Sequence, residues 1–313
     1  MPTHPEQPAV VLLYHRVASL VPDTRGLCVP ADEFREHMRE LRDSCHPMTL
    51  TELVERALAA DLPPRAVAVT FDDGYLDNLT AASPILTELG IPATFFVVGG
   101  PGHRGGEYFW DTLERIFERD GPLPAFLELA DPNGETRHRH PTVTREERAA
   151  AHNALGADLY GLPWARREAL LASVMAWSAM DLAPRESHRS VTADELRQLA
   201  GRPGHSIGAH TVNHLCLPEQ DAAAQSAEIV GNKTYLESVL GTSVPVFSYP
   251  YGAFNSETVD LVADAGFRMA ITVERAPLTS QVTPFTVPRV EIRSAGREAF
   301  AQTLDAVFRG VSS

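Results

Sequence analysis

Short apolar runs alternate with helical spacings along most of the chain. The first run, Ala9-Val10-Val11-Leu12-Leu13-Tyr14, is β-branched, stops at polar His15-Arg16 and reads as a buried parallel strand. Residues 31–45 then place Phe34, Met38 and Leu41 at helical spacing behind Asp32. A second strand at 66–71 ends in Asp72-Asp73-Gly74; a helix over 76–89 leads through Gly90-Ile91-Pro92 to a strand at 93–98. After 190 the alternation resumes, with helices at 192–200, 221–240 and 256–265 and strands at 205–209, 245–249, 268–273 and 285–292.

The stretch 101–190 has a different texture. It opens with glycines and prolines and continues with amphipathic helical patterns near 110–120, 144–159 and 163–180, with few strand signals. We read it as a helical insertion within a single domain spanning 1–313. Repeated strand–helix units imply right-handed crossovers and a parallel sheet. Seven or eight strands point to an α/β barrel.

Bulk properties narrow the function classes. A length of 313 residues suits one large α/β barrel with an insertion, or two modest domains. Hydrophobic residues at 44% and charged residues at 22% argue against a chain dominated by disorder. The net charge of −14 argues against general affinity for nucleic acid or anionic membrane, which calls for clustered Lys and Arg. The opening MPTHPEQPAV lacks a positive segment followed by a long apolar one, and no apolar run approaches a membrane span. Cys28, Cys45 and Cys216 do not have zinc-knuckle or redox-pair spacing. These features lead us to expect a cytoplasmic protein with no integral membrane association. The basic cluster Arg137-His138-Arg139-His140 reads as a solvated loop.

Acidic and imidazole groups recur just beyond the apolar runs. In parallel α/β barrels that face carries the active site. Two adjacent carboxylates at the tip of a buried strand are costly unless a cation neutralises them. His210 and His214 are four positions apart, a spacing that on a helical turn or tight loop puts both imidazoles on one side. Two imidazoles and one carboxylate leave room for water, the pattern of catalytic rather than structural zinc.

Thr70-Phe71-Asp72-Asp73-Gly74-Tyr75 resembles the first motif of the polysaccharide deacetylase (NodB-homology) family, carbohydrate esterase family four. His210-Thr211-Val212-Asn213-His214 resembles its second motif, and Phe247-Ser248-Tyr249-Pro250-Tyr251-Gly252 its third. The resemblance covers roughly 9–100 and 190–292. It implies a distorted (β/α)7 barrel that hydrolyses N-acyl, usually N-acetyl, groups on aminosugars. It implies that Asp73, His210 and His214 hold a divalent metal, most readily zinc, with cobalt, nickel or iron admitted by N/O ligands. It further implies that Asp72 is the general base, that the Tyr251 N–H binds the oxyanion and that the Thr211 hydroxyl braces the histidine loop.

Two family features are absent. The third motif commonly carries an Arg before Pro-Tyr, where Ser248 and Tyr249 stand here; Arg289 is the expected substitute, against the plainer reading of a surface Arg on an edge strand. The late histidine that supplies the general acid is also missing. His15 is the candidate in its place, because Tyr14-His15-Arg16-Val17 resembles the N-terminal motif of the poly-N-acetylglucosamine deacetylase branch. An imidazole suits the task because it titrates near neutrality. Trp110-Asp111 reads as a helix start packing on the barrel rather than a sugar platform, Asp77 and Asn78 as organisers of the helix after the first motif, and Cys216 as a small buried residue. The expected substrate is an N-acylated sugar or glycan intermediate. Hydrolysis of a cyclic or formyl non-sugar amide, or a catalytically silent carbohydrate-binding member, are the alternatives.

Overall fold

The structure is a computed structural model and describes residues 7–130 and 137–310. In chain order the strands are β1 (Val10–Tyr14), β2 (Arg16–Val17), β3 (Cys28–Val29), β4 (His46–Pro47), β5 (Ala66–Phe71), β6 (Ala93–Val97), β7 (Phe126–Ala130), β8 (Arg137–Pro141), β9 (His205–Ala209), β10 (Val246–Ser248), β11 (Met269–Ile271) and β12 (Val290–Glu291). The helices are α1 (Ala31–Ser44), α2 (Leu50–Leu58), α3 (Ser83–Leu89), α4 (Phe109–Phe117), α5 (Arg145–Gly161), α6 (Trp164–Ser178), α7 (Ala193–Ala200), α8 (Ala222–Leu240), α9 (Ser256–Asp264) and α10 (Arg297–Phe308).

The main sheet runs β11-β10-β9-β6-β5-β1-β12, all parallel, with short β4 also beside β5. Residues 284–289 link its two ends: Ala270 N donates to Pro284 O, Val287 N to Ala270 O and Arg289 N to Glu274 O, before the chain enters β12 beside β1. The sheet thereby curls into the distorted seven-stranded barrel expected from the sequence.

The two-residue period of a strand decides which side chains face the lumen. Ala9, Val11, Ala66 and Ala68 pack with Phe96, Val246, Met269 and Ile271 in one apolar cluster. Their alternates Val10, Leu12, Val67, Val69 and Phe71 pack with Phe34, Met38 and Leu41 of α1 in another. Continued toward the carboxyl ends, the lumen-facing register delivers Leu13 and His15 from β1, Asp72 from β5 and Val273 from β11, all of which line one cavity. On β9 the same register passes through Gly208 to His210. A Cβ on Gly208 would sit 2.4 Å from the Phe96 ring, so only glycine fits where these strands approach in the lumen.

Several elements depart from the sequence expectation. The strand expected over 285–292 shrinks to β12 plus a bridge at Val287, because Pro284 and Pro288 have no N–H to give a ladder. The helix expected over 76–89 starts at Leu76 but is interrupted by a π-turn (Asn78–Ala82) before it continues as α3 from Ser83, next to Pro84. Helices α2 and α10 and strand β4 were not anticipated. Residues 101–190 hold α4, α5 and α6 near the expected positions but also the antiparallel hairpin β7–β8. Arg137–His140, expected in a loop, therefore lie on a strand; the side chains of Arg137 and His138 are outside the described residues. A third apolar cluster joins α4, α5 and α6 through Leu113, Ile116, Leu155, Leu159, Leu170 and Val174, and it reaches Tyr75 beside the first motif. Among the described residues no helix is long and apolar enough to cross a membrane.

Candidate metal centre

Among the described residues, four of the seven non-glycine positions with positive φ lie at the carboxyl ends of the barrel strands: Asp73 (φ 73), Thr211 (φ 65), His214 (φ 51) and Tyr251 (φ 60). Each such conformation costs on the order of 1–3 kcal/mol and persists only where the surroundings enforce it. The enforcement is visible. Asp72 N donates to Tyr14 O, and the Tyr108 hydroxyl at the head of α4 donates to Asp73 O, which fixes the turn after β5. His210 N donates to Asn232 Oδ1 at 2.8 Å. His214 N donates to Thr211 Oγ1 at 3.0 Å, the bracing expected of that hydroxyl. Glu228 on α8 accepts from both N and Nδ2 of Asn213, each at 2.7 Å. The two histidines therefore converge from a tight loop with left-handed residues at both ends, not from a helix.

Asp73, His210 and His214 are all buried, and one ligand atom from each lies within 4.8 Å of the others. Oδ1 of Asp73 is 3.5 Å from His210 Nε2 and 3.2 Å from His214 Nε2. His210 Nδ1–H donates to Ser248 O at 2.8 Å, which leaves the Nε2 lone pair facing the cluster. Asp73 Oδ1, which faces both Nε2 atoms, is buried without a hydrogen-bond partner. Buried polar atoms of this kind call for a partner. A carboxylate oxygen and two imidazoles converging on one point suit a divalent cation. Burial opposes charge on Asp73, but the two imidazoles beside it outweigh that and hold the carboxyl well below the usual range. Burial pushes His214 down to about 4, so its imidazole is neutral and available as a ligand near pH 7. His210 moves upward instead: the nearby Asp72 and Asp73 overcome the effect of burial.

Asp72 has different company. Arg289 meets it with both ends of the guanidinium, Nη1 to Oδ1 at 2.8 Å and Nη2 to Oδ2 at 2.6 Å. The Ser248 hydroxyl donates to Oδ2 at 3.1 Å. Arg289 also donates to Thr272 O and Thr70 Oγ1. Burial alone would raise the Asp72 pKa; Arg289 and His210 reverse that and hold it below its ordinary value. Arg289 is fully buried, which removes the reading of an edge-strand surface residue. A guanidinium thus reaches Asp72 from the segment entering β12, with Ser248 beside it.

The cavity above these groups has a volume of about 330 Å³ and is also lined by His15, Arg25, Trp110, Tyr251, Glu291 and Arg293. His15 is partly exposed, with Nδ1 3.9 Å from Glu291 Oε1. Its backbone is tied down by the helix start that follows the first motif: Asn78 Nδ2 donates to His15 O, and Asp77 accepts from Val17 N and Arg16 Nε. Asp77 and Asn78 thus anchor the β1 loop, and neither side chain caps the helix start expected of them. The Tyr251 ring packs edge-on against His214, centroids 4.5 Å apart. Trp110 is buried, stacked on Tyr108 and covered by Arg25 at 5.0 Å, so it is a packing residue at the wall. Cys216 is buried, donates to Tyr160 and stands outside the ligand cluster.

The sequence reading missed Thr70, Ser248, Tyr108, Glu228 and Asn232 as supports of the site. Period-two counting from Asp72 along β5 would have found Thr70. Ser248 stands within the third motif itself, whereas Tyr108 before α4 and Glu228 and Asn232 on α8 are remote in sequence from the residues they hold.

The sequence pattern of the polysaccharide deacetylases matches residues 59–122 and 177–270, half of the chain. The chain is 32% identical over 312 residues to the poly-beta-1,6-N-acetyl-D-glucosamine N-deacetylase of Escherichia coli (strain K12); the match covers 97% of this chain and 39% of that longer protein. Among solved structures, it superposes on the Streptococcus pyogenes deacetylase PplD with TM-score 0.62 at 17% identity, covering 95% of this chain and 98% of PplD. It superposes on IcaB from Ammonifex degensii with TM-score 0.61 at 19% identity, covering 96% and 98%. At these identities the superpositions speak for a shared fold.

Proposed function

Because the chain belongs to the polysaccharide deacetylase family, we propose that it hydrolyses the N-acetyl amide of an aminosugar glycan or glycan intermediate at the Asp73–His210–His214 centre. The observation that carries this reading is the division between two neighbouring carboxylates. Asp73 Oδ1 lies 3.5 and 3.2 Å from the Nε2 atoms of the two imidazoles, while Asp72, 3.9 Å from His210 alone, is gripped by both ends of the Arg289 guanidinium and kept ionised.

A divalent cation held by Asp73, His210 and His214 would polarise the amide carbonyl and acidify water. Asp72, ionised and oriented by Arg289 and Ser248, would take the proton of the attacking water. The N–H of Tyr251, on a turn held in the left-handed region, is the proposed donor to the developing oxyanion. His15, on the rim of the same cavity, is the proposed acid that gives its proton to the departing sugar amine as the C–N bond breaks. Acetate and a free amine result.

The test is amine release from N-acetylglucosamine oligomers by the purified protein, before and after chelation. We expect hydrolysis that a chelator abolishes and an added divalent cation restores. Metal-loaded protein that cleaves none of these oligomers would remove the glycan reading.

A further inference from the structure

The family pattern leaves residues 123–176 unmatched, and from that stretch one side chain reaches the back of the metal centre. Arg167 on α6 is 2% exposed. Its guanidinium meets main-chain carbonyls. Nε donates to Leu159 O at 2.8 Å and Nη2 to Tyr160 O at 3.0 Å. Nη1 donates to Asn213 O at 3.2 Å and to His214 O at 3.0 Å. Two acceptors are carbonyls of the last turn of α5, where a cation is favoured. The other two belong to the histidine loop, one of them to the metal-ligating histidine itself.

Burying a guanidinium is expensive unless its donors are satisfied in fixed geometry. Its planar fork suits a span between two backbone segments in a way that an ammonium does not. What it spans is the insertion on one side and a strained loop on the other, with His214 at φ 51. Glu228 and Thr211 hold the N–H groups of Asn213 and His214, and Arg167 holds the C=O groups of the same two residues. Together they determine the backbone from which the His214 imidazole projects.

We propose that Arg167 is a positioning residue for His214, through which the insertion sets the metal affinity of the centre. This rests on the reading of Asp73, His210 and His214 as the metal ligands.

The experiment measures divalent-metal affinity by chelator competition, and the visible absorption of the cobalt(II)-loaded protein, for wild type and Arg167→Met. Supporting groups around a ligating histidine typically change metal affinity by about 10–100-fold. We expect a weakening of that order in Arg167→Met, a changed cobalt spectrum, and partial recovery of both in Arg167→Lys. Ala172→Ser, on the exposed side of the same helix, should match wild type. A wild-type dissociation constant and cobalt spectrum in Arg167→Met would overturn the proposal, whatever happened to the melting temperature. If that variant does not fold, the same wild-type result in Arg167→Lys overturns it. An equal loss in Ala172→Ser would also overturn it, since the effect would then belong to the helix in general. Wild-type protein that binds no divalent cation would instead refute the metal centre itself.

Discussion

Asp72 and Asp73 share a side chain and a peptide bond, and their surroundings give them different chemistry. Asp73 faces two imidazoles; Asp72 faces a guanidinium and a hydroxyl. Removing the guanidinium should expose the cost of that arrangement. Arg289→Met leaves a buried carboxylate unpaired, and we expect a loss of about 3–5 kcal/mol in urea unfolding at neutral pH. A loss below about 1 kcal/mol would mean that the pair is not held as described. At the cavity rim, His15→Ala should lower kcat by about 10²-fold or more while metal content stays constant. Unchanged turnover would reject the acid role. The four residues of the centre were legible because strand-end position and short spacing mark them within single segments. The Arg289–Asp72 pair joins positions 217 apart, so the sequence identified the need for an arginine more securely than its location.

At the level of elements, apolar runs located the barrel strands well because strands buried on both faces read as continuous hydrophobic segments. They failed where the backbone, not the side chains, decides the structure. Proline shortened β12, and a π-turn preceded α3. In the β7–β8 hairpin, β8 is charged with no apolar alternation to read and β7 is one five-residue run among helical patterns, and α2 is a nine-residue helix two residues after a two-residue strand. Gly208 is the element-scale constraint with the clearest consequence. Gly208→Ala forces a methyl to 2.4 Å from the Phe96 ring. Overpacking of this kind costs about 1–3 kcal/mol, measurable by denaturant unfolding. Wild-type stability would show that β9 and β6 have room to separate.

Across the whole molecule, the insertion and the barrel meet in a buried polar network around Asp111. Its Oδ2 accepts from the Tyr75 hydroxyl at 2.8 Å, and Arg16 Nη1 lies 3.8 Å from Oδ1. Burial pushes the Asp111 carboxyl up to about 7, Glu107 and Glu114 adding to the rise while Arg16 and Tyr75 oppose it. A raised carboxyl means that the folded state keeps a proton the unfolded chain has released. This contribution to stability is therefore complete below about pH 4 and lost as pH rises to about 7, at no more than about 1.4 kcal/mol per pH unit. Asp111→Asn should gain stability relative to wild type as pH rises through that window, followed by thermal melting across pH. A constant difference between the two proteins would contradict the assignment. The most direct test of the account as a whole is acetate release by Asp72→Asn protein assayed at a measured metal content. We expect one divalent metal per chain, as in wild type, and turnover lower by about 10²–10⁴-fold. Full turnover with metal bound would show that Asp72 is not the base. Loss of the metal would show that the two carboxylates do not divide their roles as proposed.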